Sequence, residues 1–186
     1  MRCAIEAIAE VGYQRASLAE IAKRARVSKS VISYHFAGGK DALIRQVFAA
    51  VYETGGAFMV TRMAGQTSAR AALRAYIDGN TAFMREHRTD VKALVEIIFN
   101  YRDENGMSGL DVTKFEPAIS DLEVLLRNGQ KAGEFRAFDT TVMAFAIRSA
   151  IDSLPARLHA FPDIDIDRYG AELADLFDRA TALETR

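Results

Sequence analysis

The segment SKSVISYHF, residues 28–36, gathers side chains that form hydrogen bonds and ion pairs within one short stretch. It offers an ammonium group, several hydroxyls, a phenol and an imidazole. Apart from its first serine, these groups belong to Lys29, Ser30, Ser33, Tyr34 and His35. A hydrophobic core needs none of them, because burying a polar group without a hydrogen-bond partner destabilises the fold. Their chemistry is hydrogen bonding to the donor and acceptor atoms of a polar partner.

The residues around this segment predict two short helices joined by a tight turn. Ser17, with Glu20 three residues later, forms a capping box that begins the first helix. Ser28 can cap the second helix. Only about three residues around Arg26 and Val27 connect the two, which is typical of a helix-turn-helix whose helices cross steeply.

The second helix of this pair is predicted to stand out from the protein surface. Val31, Ile32 and Phe36 are expected to point inward, so that the polar side chains of the segment SKSVISYHF face outward. An earlier amphipathic helix is predicted over residues 3–11, and Gly12 is expected to end it.

The remainder of the chain predicts further helices and essentially no sheet, because no alternating apolar and polar run is bounded by turn residues. The predicted helices cover residues 40–63, 68–87, 90–101, 115–132, 139–160 and 165–183, with a polar loop, RDENGMSGLD, after the third of them. We therefore expect an all-α protein with an N-terminal three-helix helix-turn-helix domain, residues 1–45. A larger C-terminal helical domain, residues 46–186, would follow it.

Composition and charge narrow the class of protein. The 186 residues include one cysteine, Cys3, which excludes an intramolecular disulfide framework and a cysteine metal cage. No secretory or long uncharged apolar segment is present, so we expect a soluble, cytoplasmic chain without a membrane span. Residues 1–50 carry eight Lys/Arg and four Asp/Glu, a net charge of +4, whereas the rest of the chain carries −5. A basic N-terminal quarter favours contact with a polyanion, although a chance fluctuation in charge would look the same.

Residues 12–43 resemble the DNA-binding domain of the TetR family of bacterial transcriptional regulators. The order and spacing of many short motifs agree over this whole stretch, so the signal does not depend on one motif. The motifs are Gly12-Tyr13, Ser17, Ile21-Ala22, Ala25-Arg26-Val27-Ser28, Tyr34-His35-Phe36 and Lys40-Asp41-Ala42-Leu43. Beyond them, the chain is similar to the family in length and helical character.

Some residues depart from the family pattern. Arg26 stands where the family usually has a turn glycine, and a positive φ there would cost an arginine about 1 kcal/mol. Ser30 replaces a second common glycine, and Ser33 lies where the first of two aromatic residues is usual. The segment AGGK is one residue longer than the commoner form. The chain begins directly at its first predicted helix, so we predict no DNA contact by the N-terminal arm that is common in the family.

The resemblance implies that the chain binds a double-stranded DNA operator. A helix fits the major groove, where its first residues usually reach the bases, so Lys29, Ser30 and Ser33 are assigned to base contact. Tyr34 and His35 are assigned to the sugar-phosphate backbone. Helix N-termini attract phosphates. The predicted contacts at helix starts and in the turn are Ser17, Arg26, Ser28 and Lys40.

Each of these residues also has a purely structural interpretation. Tyr34 could pack on Arg15 or on the next helix as a surface aromatic residue. His35 could form a hydrogen bond inside the small domain. Ser17 and Ser28 could serve as helix caps alone, each worth about 1 kcal/mol.

The resemblance further implies a homodimer and a small-molecule effector. One helix-turn-helix makes few contacts, so two copies about 34 Å apart are expected to read a near-palindrome. The dimer would form through residues 139–183, although part of this apolar stripe must be internal core. The predicted effector pocket, whose residues could equally be core, comprises Phe83, Met84, Phe99, Tyr101, Met143, Phe145 and Arg148. Repression is the usual outcome in the family.

Enzymatic and metal-binding classes find little support in the sequence. His35, His87 and His159 lie at no metal-ligand spacing, and no phosphate-loop motif appears. The run DIDID, residues 163–167, lacks the glycine and terminal Glu of a calcium loop and is interpreted as a cap on the last helix. We therefore expect no enzyme activity, cofactor or metal. The alternative is a helical protein-interaction module with a degenerate helix-turn-helix that no longer binds DNA.

Overall fold

A computed structural model describes residues 1–102, 116–161 and 163–183 of the chain. Within these segments the chain forms ten helices and no strand, with one isolated antiparallel bridge between Phe135 and Ala182. The predicted all-α fold is therefore confirmed. Most of the polar loop predicted after Tyr101 lies outside the described residues.

The helices agree with the predicted ones except in two places: Gly12, predicted to end the first helix, is a non-helical residue within it, and the helix predicted over residues 139–160 is divided. Their bounds are α1 Arg2–Arg15, α2 Leu18–Ala25, α3 Lys29–His35, α4 Gly39–Met63, α5 Ala69–Glu86, α6 Arg88–Asn100, α7 Glu116–Lys131, α8 Thr140–Asp152, α9 Leu154–Ala160 and α10 Ile166–Thr181. The helix predicted over residues 139–160 is in fact two helices, α8 and α9, which are separated at Ser153. Pro155 lies in the first turn of α9, where its missing N–H leaves no helical hydrogen bond unmade.

Internal contacts divide the chain into two units. The first comprises Met1–Gly56 and His87–Asp111, and the second comprises Ala57–Glu86 and Val112–Arg186. The boundary predicted near residue 45 lies inside α4, and the division of function at that point stays a prediction.

The first unit is built on the contact between α1 and α6, and α2 packs against both α1 and α3. Small and apolar residues recur along α1, so it can bury one face. The buried residues of α1 are Ala4, Ile5, Ala7, Ile8 and Ala9. A partly buried ion pair also joins α1 to α6, because Arg2 Nη1 donates to both carboxylate oxygens of Asp90 at 3.0 and 2.9 Å.

The second unit is built on α5, against which α7 and α10 pack, and on α7, which also contacts α8. The approach of α10 to α5 is close at Gly170, where an added Cβ would lie 2.5 Å from Thr81 Oγ1. Asp165 caps α10, because its Oδ1 accepts from the N–H groups of Asp167 and Arg168 at 3.1 and 3.0 Å. The interpretation of DIDID as a helix cap is thus confirmed. Among the described helices, none has the length and apolar character needed to cross a membrane.

Candidate nucleic-acid interface

The turn between α2 and α3 is set by its backbone. Arg26 adopts the left-handed conformation with φ 56° and ψ 39°, as expected at a position where glycine is usual. Its N–H donates to Lys23 O at 3.2 Å, and the next N–H, of Val27, donates to Ala22 O at 3.0 Å. These bonds satisfy the end of α2 and turn the chain into α3 within three residues.

Serine side chains begin both helices, as predicted. Ser17 Oγ accepts from the N–H of Glu20 at 3.2 Å, and Ser28 Oγ accepts from the N–H of Val31 at 3.4 Å. The Glu20 carboxylate does not return to Ser17. It accepts from Arg24 Nε at 2.8 Å, so only half of the capping box forms. Both serines are exposed. The Ser17 hydroxyl hydrogen can still donate to an outside acceptor. Ser28 Oγ lies 2.7 Å from Ser30 Oγ, and either hydroxyl of that pair can be the donor.

The helix α3 presents its polar side chains to solvent. Tyr34 is 83% exposed and packs edge-on against His35, with 5.6 Å between ring centroids. Lys29, Ser30 and Ser33 are exposed as well. The interpretation of Tyr34 as a surface ring packed on its own protein is therefore not supported, since little of the ring is covered.

One expectation for α3 is wrong. Val31 was expected to point inward, but it is 42% exposed, and within α3 only Ile32 is buried. The reason is length, because a helix of seven residues makes less than two full turns and offers the core a single inward position. Phe36, just after the helix, is half-buried.

The cations of this region fall into two groups. Arg24 is engaged, because it bonds Glu10 at 2.6 Å and Glu20 at 2.8 Å. Arg26 and Lys29 are exposed, and among the residues that the structure describes neither takes part in an ion pair. The charges of Arg26 and Lys29 are therefore available to an anion that approaches α3.

Lys40 differs from the other predicted contacts. Its ammonium donates to Tyr13 O at 2.5 Å and to Gln14 O at 3.3 Å, and it lies 4.3 Å from the centroid of the Tyr13 ring. Burial lowers the pKa of Lys40 below its ordinary value. In this structure the side chain closes the end of α1.

The predicted effector residues are spread over both units. Phe99 and Tyr101 belong to the first unit, and the others belong to the second. Phe99 and Phe145 are exposed, Met84 is buried, and Phe83 and Met143 are intermediate. Two clefts lie among the described residues. One, of about 350 Å³, is lined by residues that include Arg2 and Lys92, and the other, of about 330 Å³, by residues that include Gln66 and Glu134. None of the predicted effector residues lines either cleft.

Arg148 and Tyr101 are the two predicted effector residues with polar partners inside the fold. Arg148 pairs with Asp152 through Nε at 2.9 Å, and its Nη1 donates to the Tyr76 hydroxyl at 2.9 Å and to Asn80 Oδ1 at 3.2 Å. Tyr101 is 1% exposed, and its hydroxyl donates to a carboxylate oxygen of Asp41. Both side chains are thus held in place by neighbours within their own units.

Comparison with known proteins finds a family similarity in the N-terminal part of the chain. The family model described as "Bacterial regulatory proteins, tetR family" matches residues 1–47, which contain α1, α2, α3 and the start of α4. This N-terminal part of the chain is similar to the TetR family. A curated relative, the HTH-type transcriptional regulator BetI 1 of Chromohalobacter salexigens, is 38% identical over 93 residues. That match covers 50% of this chain and 46% of the relative, so the chain matches less than half of the relative's length.

The fold of the chain is similar to that of solved bacterial regulators. A TetR-like transcriptional regulator from Rhodococcus sp. superposes with a TM-score of 0.75 at 21% identity, covering 96% of this chain and 91% of that one. The regulator PfmR of Thermus thermophilus gives 0.78 at 20% identity with complete coverage of both chains. The fatty acid degradation regulator FadR of Bacillus halodurans gives 0.77 at 20% identity, with 95% of each chain covered.

Proposed function

We propose that this chain is a DNA-binding transcriptional regulator that reads a double-stranded operator with α3. The observation that carries the proposal is the exposure of Tyr34 together with the other polar side chains of α3, directly after a tight helix-turn-helix turn. Polar side chains on a protruding helix are what readout in the major groove requires. The match of residues 1–47 to the TetR family supports the same conclusion.

The proposed contacts divide by chemistry. Lys29, Ser30 and Ser33 supply donors and acceptors for base edges, and Lys29 suits the acceptors of guanine. Tyr34 and His35 meet the sugar-phosphate backbone through the phenol and the imidazole. At the edges of the motif, the predicted phosphate contacts that stay solvent-exposed are Ser17, Arg26 and Ser28. Lys40 is set apart from this surface, because its ammonium already bonds the end of α1.

We propose that the regulator acts as a homodimer through residues 139–183. Four large apolar side chains on α8, on α10 and just after α10 are exposed in the single chain: Val142 (66%), Phe145 (52%), Leu176 (59%) and Leu183 (54%). Other large apolar residues of these helices, including Ile147 and Phe177, are buried and belong to the internal core. A second copy would cover the exposed ones and place two α3 helices on a near-palindromic operator, about 34 Å apart.

Response to a small-molecule effector and repression complete the proposal, as is typical of the TetR family. An effector would favour a dimer in which the two α3 helices no longer fit the operator. Its test is the change in operator affinity when candidate small molecules are added.

The central test is selection of bound duplexes from a random DNA pool, followed by titration of affinity against salt. Loss of one phosphate or base-edge cation is expected to reduce the slope of log K against log salt by up to about 0.9. We expect this reduction for Lys29→Ala and for Arg26→Ala. The matched control is Lys131→Ala at the end of α7 in the second unit, which should leave the slope unchanged. Failure to enrich any sequence would refute the proposed function.

A further inference from the structure

The end of α1 is a junction where side chains from α4 and α6 meet. The helix breaks at Gly12, which has φ 82° and ψ 160°, before a last turn that ends at Arg15. A break of this kind leaves backbone N–H and C=O groups that need partners from elsewhere. Only Ala16 separates this turn from Ser17, the cap of α2, so the partners that hold the break also fix where the helix-turn-helix begins.

From α6, Glu96 satisfies the donor at the break. Its Oε2 accepts from the N–H of Tyr13 at 3.0 Å. The same oxygen would lie 3.3 Å from a Cβ added at Gly12, so the carboxylate is packed directly over the broken backbone. Glycine is favoured at Gly12 both by its positive φ and by this close approach.

From α4, Lys40 satisfies the acceptors at the same place. Its ammonium bonds the carbonyl oxygens of Tyr13 and Gln14, next to the N–H that Glu96 accepts from. A cation at the C-terminal end of a helix is also favoured by the helix dipole. The backbone of Tyr13 is thus held by an acid on one side and a base on the other.

Tyr101, at the end of α6, closes the junction. Its ring packs edge-on against the ring of Tyr13, with 6.4 Å between centroids. Its hydroxyl donates to Asp41 in the first turn of α4, and Arg45 Nε donates to the other oxygen of that carboxylate at 3.0 Å. One buried side chain of α6 therefore touches both α1 and α4.

We propose that Glu96, Tyr101 and Lys40 are positioning residues for DNA reading, a role that rests on the proposed function. They do not touch DNA themselves. They fix the last turn of α1, and through it the placement of α2 and α3 against the DNA. Hydrogen bonds to specific bases require α3 to be placed accurately, whereas the attraction of cations to phosphates tolerates a less accurate placement. Losing the junction should therefore weaken specific binding more than non-specific binding.

The experiment compares four variants of the full chain on a selected operator and on a random duplex. Glu96→Ala removes the acceptor, and Glu96→Gln retains an acceptor oxygen. Tyr101→Phe removes only the hydroxyl. The matched control is Asp90→Asn, which weakens the other polar contact between α1 and α6, at the far end of α1 from the helix-turn-helix. Circular dichroism at the assay temperature establishes that each variant is folded.

The ratio of operator to random-duplex affinity is expected to fall about tenfold for Glu96→Ala and Tyr101→Phe, the scale set by the loss of one part-buried hydrogen bond. Glu96→Gln should restore most of it. Asp90→Asn should lower the melting temperature but leave the ratio unchanged.

Unchanged ratios in folded Glu96→Ala and Tyr101→Phe would overturn the inference while leaving the proposed function intact. If Glu96→Ala does not fold, Tyr101→Phe decides alone. A wild-type chain with no preference for any duplex would instead refute the proposed function.

The role of Lys40 is tested separately, because losing a phosphate contact changes how operator affinity depends on salt, whereas losing a helix cap does not. Lys40→Met keeps the aliphatic stem and removes the charge. As a positioning residue, Lys40 is expected to leave the slope of log K against log salt on the operator unchanged while the affinity ratio falls. A slope reduced by about 0.9, as for a direct phosphate contact, would overturn its assignment to the junction.

Discussion

Among the described residues, Arg26 is the only one other than glycine with a positive φ. An L-residue in this conformation brings its Cβ close to the following carbonyl, whereas glycine adopts it freely. We expect Arg26→Gly to stabilise the folded chain by about 1 kcal/mol despite the loss of a charge. Urea unfolding followed by circular dichroism measures the change.

Two further substitutions separate the backbone of Arg26 from its charge. Arg26→Ala keeps the strained conformation and removes the guanidinium, so it should lower operator affinity without the gain in stability. Arg26→Lys keeps both the strain and a cation, and both properties should stay near wild type. An Arg26→Gly chain that is less stable than wild type would contradict the account of this turn.

At the residue scale, the sequence predicted exposure well where the exposure of a side chain depends only on its own short helix. Tyr34 and Lys29 lie on the outward face predicted for α3, and both are exposed. Tyr101 was assigned to an effector pocket, yet its hydroxyl bonds Asp41, sixty residues earlier in the chain. Aromatic spacing along α6 predicts that a ring faces inward but carries no information about the partner that it meets there.

The helix α2 depends on Ser17 for its first turn. Removing the cap in Ser17→Ala should cost about 1 kcal/mol of stability, because the N–H of Glu20 loses its acceptor. Ser17→Asp restores an acceptor and suits the helix dipole, so its stability should return to that of wild type. Thermal unfolding of the three chains measures this order.

The same pair of variants tests whether Ser17 lies near a phosphate. A carboxylate there would repel the DNA backbone, so Ser17→Asp should be as stable as wild type and yet bind the operator more weakly than Ser17→Ala. Equal operator affinities for the two variants would show that Ser17 is a cap alone, the structural interpretation that the sequence left open.

At the element scale, capping residues and hydrophobic period were sufficient to predict most helices. The bounds of α2 and α3 follow from Ser17 and Ser28, whose side chains cap as expected. The break between α8 and α9 was missed although its signal was present. Pro155 cannot sit in a helix interior without losing a hydrogen bond, so the helix had to restart just before it.

An ion pair between α5 and α10 gives the second unit a measurable pH dependence. Arg70 Nη2 bonds Asp178 Oδ2 at 2.6 Å, and this guanidinium holds the pKa of Asp178 below its ordinary value. A carboxylate with a lowered folded-state pKa adds stability above its unfolded pKa of about 4, and that stability is lost as the pH falls through the folded value.

We therefore expect Asp178→Asn to cost up to about 1 kcal/mol at pH 7, the scale of an ion pair that solvent still reaches. The difference between wild type and variant should shrink as urea unfolding is repeated below about pH 4. Asp121→Asn, an exposed carboxylate on α7, is the control and should show little effect at either pH. A difference that grows as the pH falls would contradict the sign of this linkage.

At the scale of the whole molecule, the apolar residues of α8 and α10 divide into two sets that the sequence could not separate. Ile147 and Leu173 are buried within the single chain, whereas Phe145 and Leu176 stay exposed. Both sets recur at helical spacing, and periodicity alone does not tell an internal face from one that a second copy covers. Their exposed members are therefore the ones whose substitution tests the dimer.

We expect Phe145→Glu and Leu176→Glu to yield folded monomers, because a charge on the proposed interface must be desolvated on association. Sedimentation velocity measures the assembly. Operator affinity should fall at least about 100-fold, since a monomer binds each half-site without the effective concentration that linkage provides. Val124→Glu places the same charge on an exposed apolar residue of α7 and should stay dimeric with wild-type affinity. If both interface variants stay dimeric, the dimer contact lies elsewhere than on α8 and α10. If the variants are monomers that keep full operator affinity, DNA binding does not need paired α3 helices.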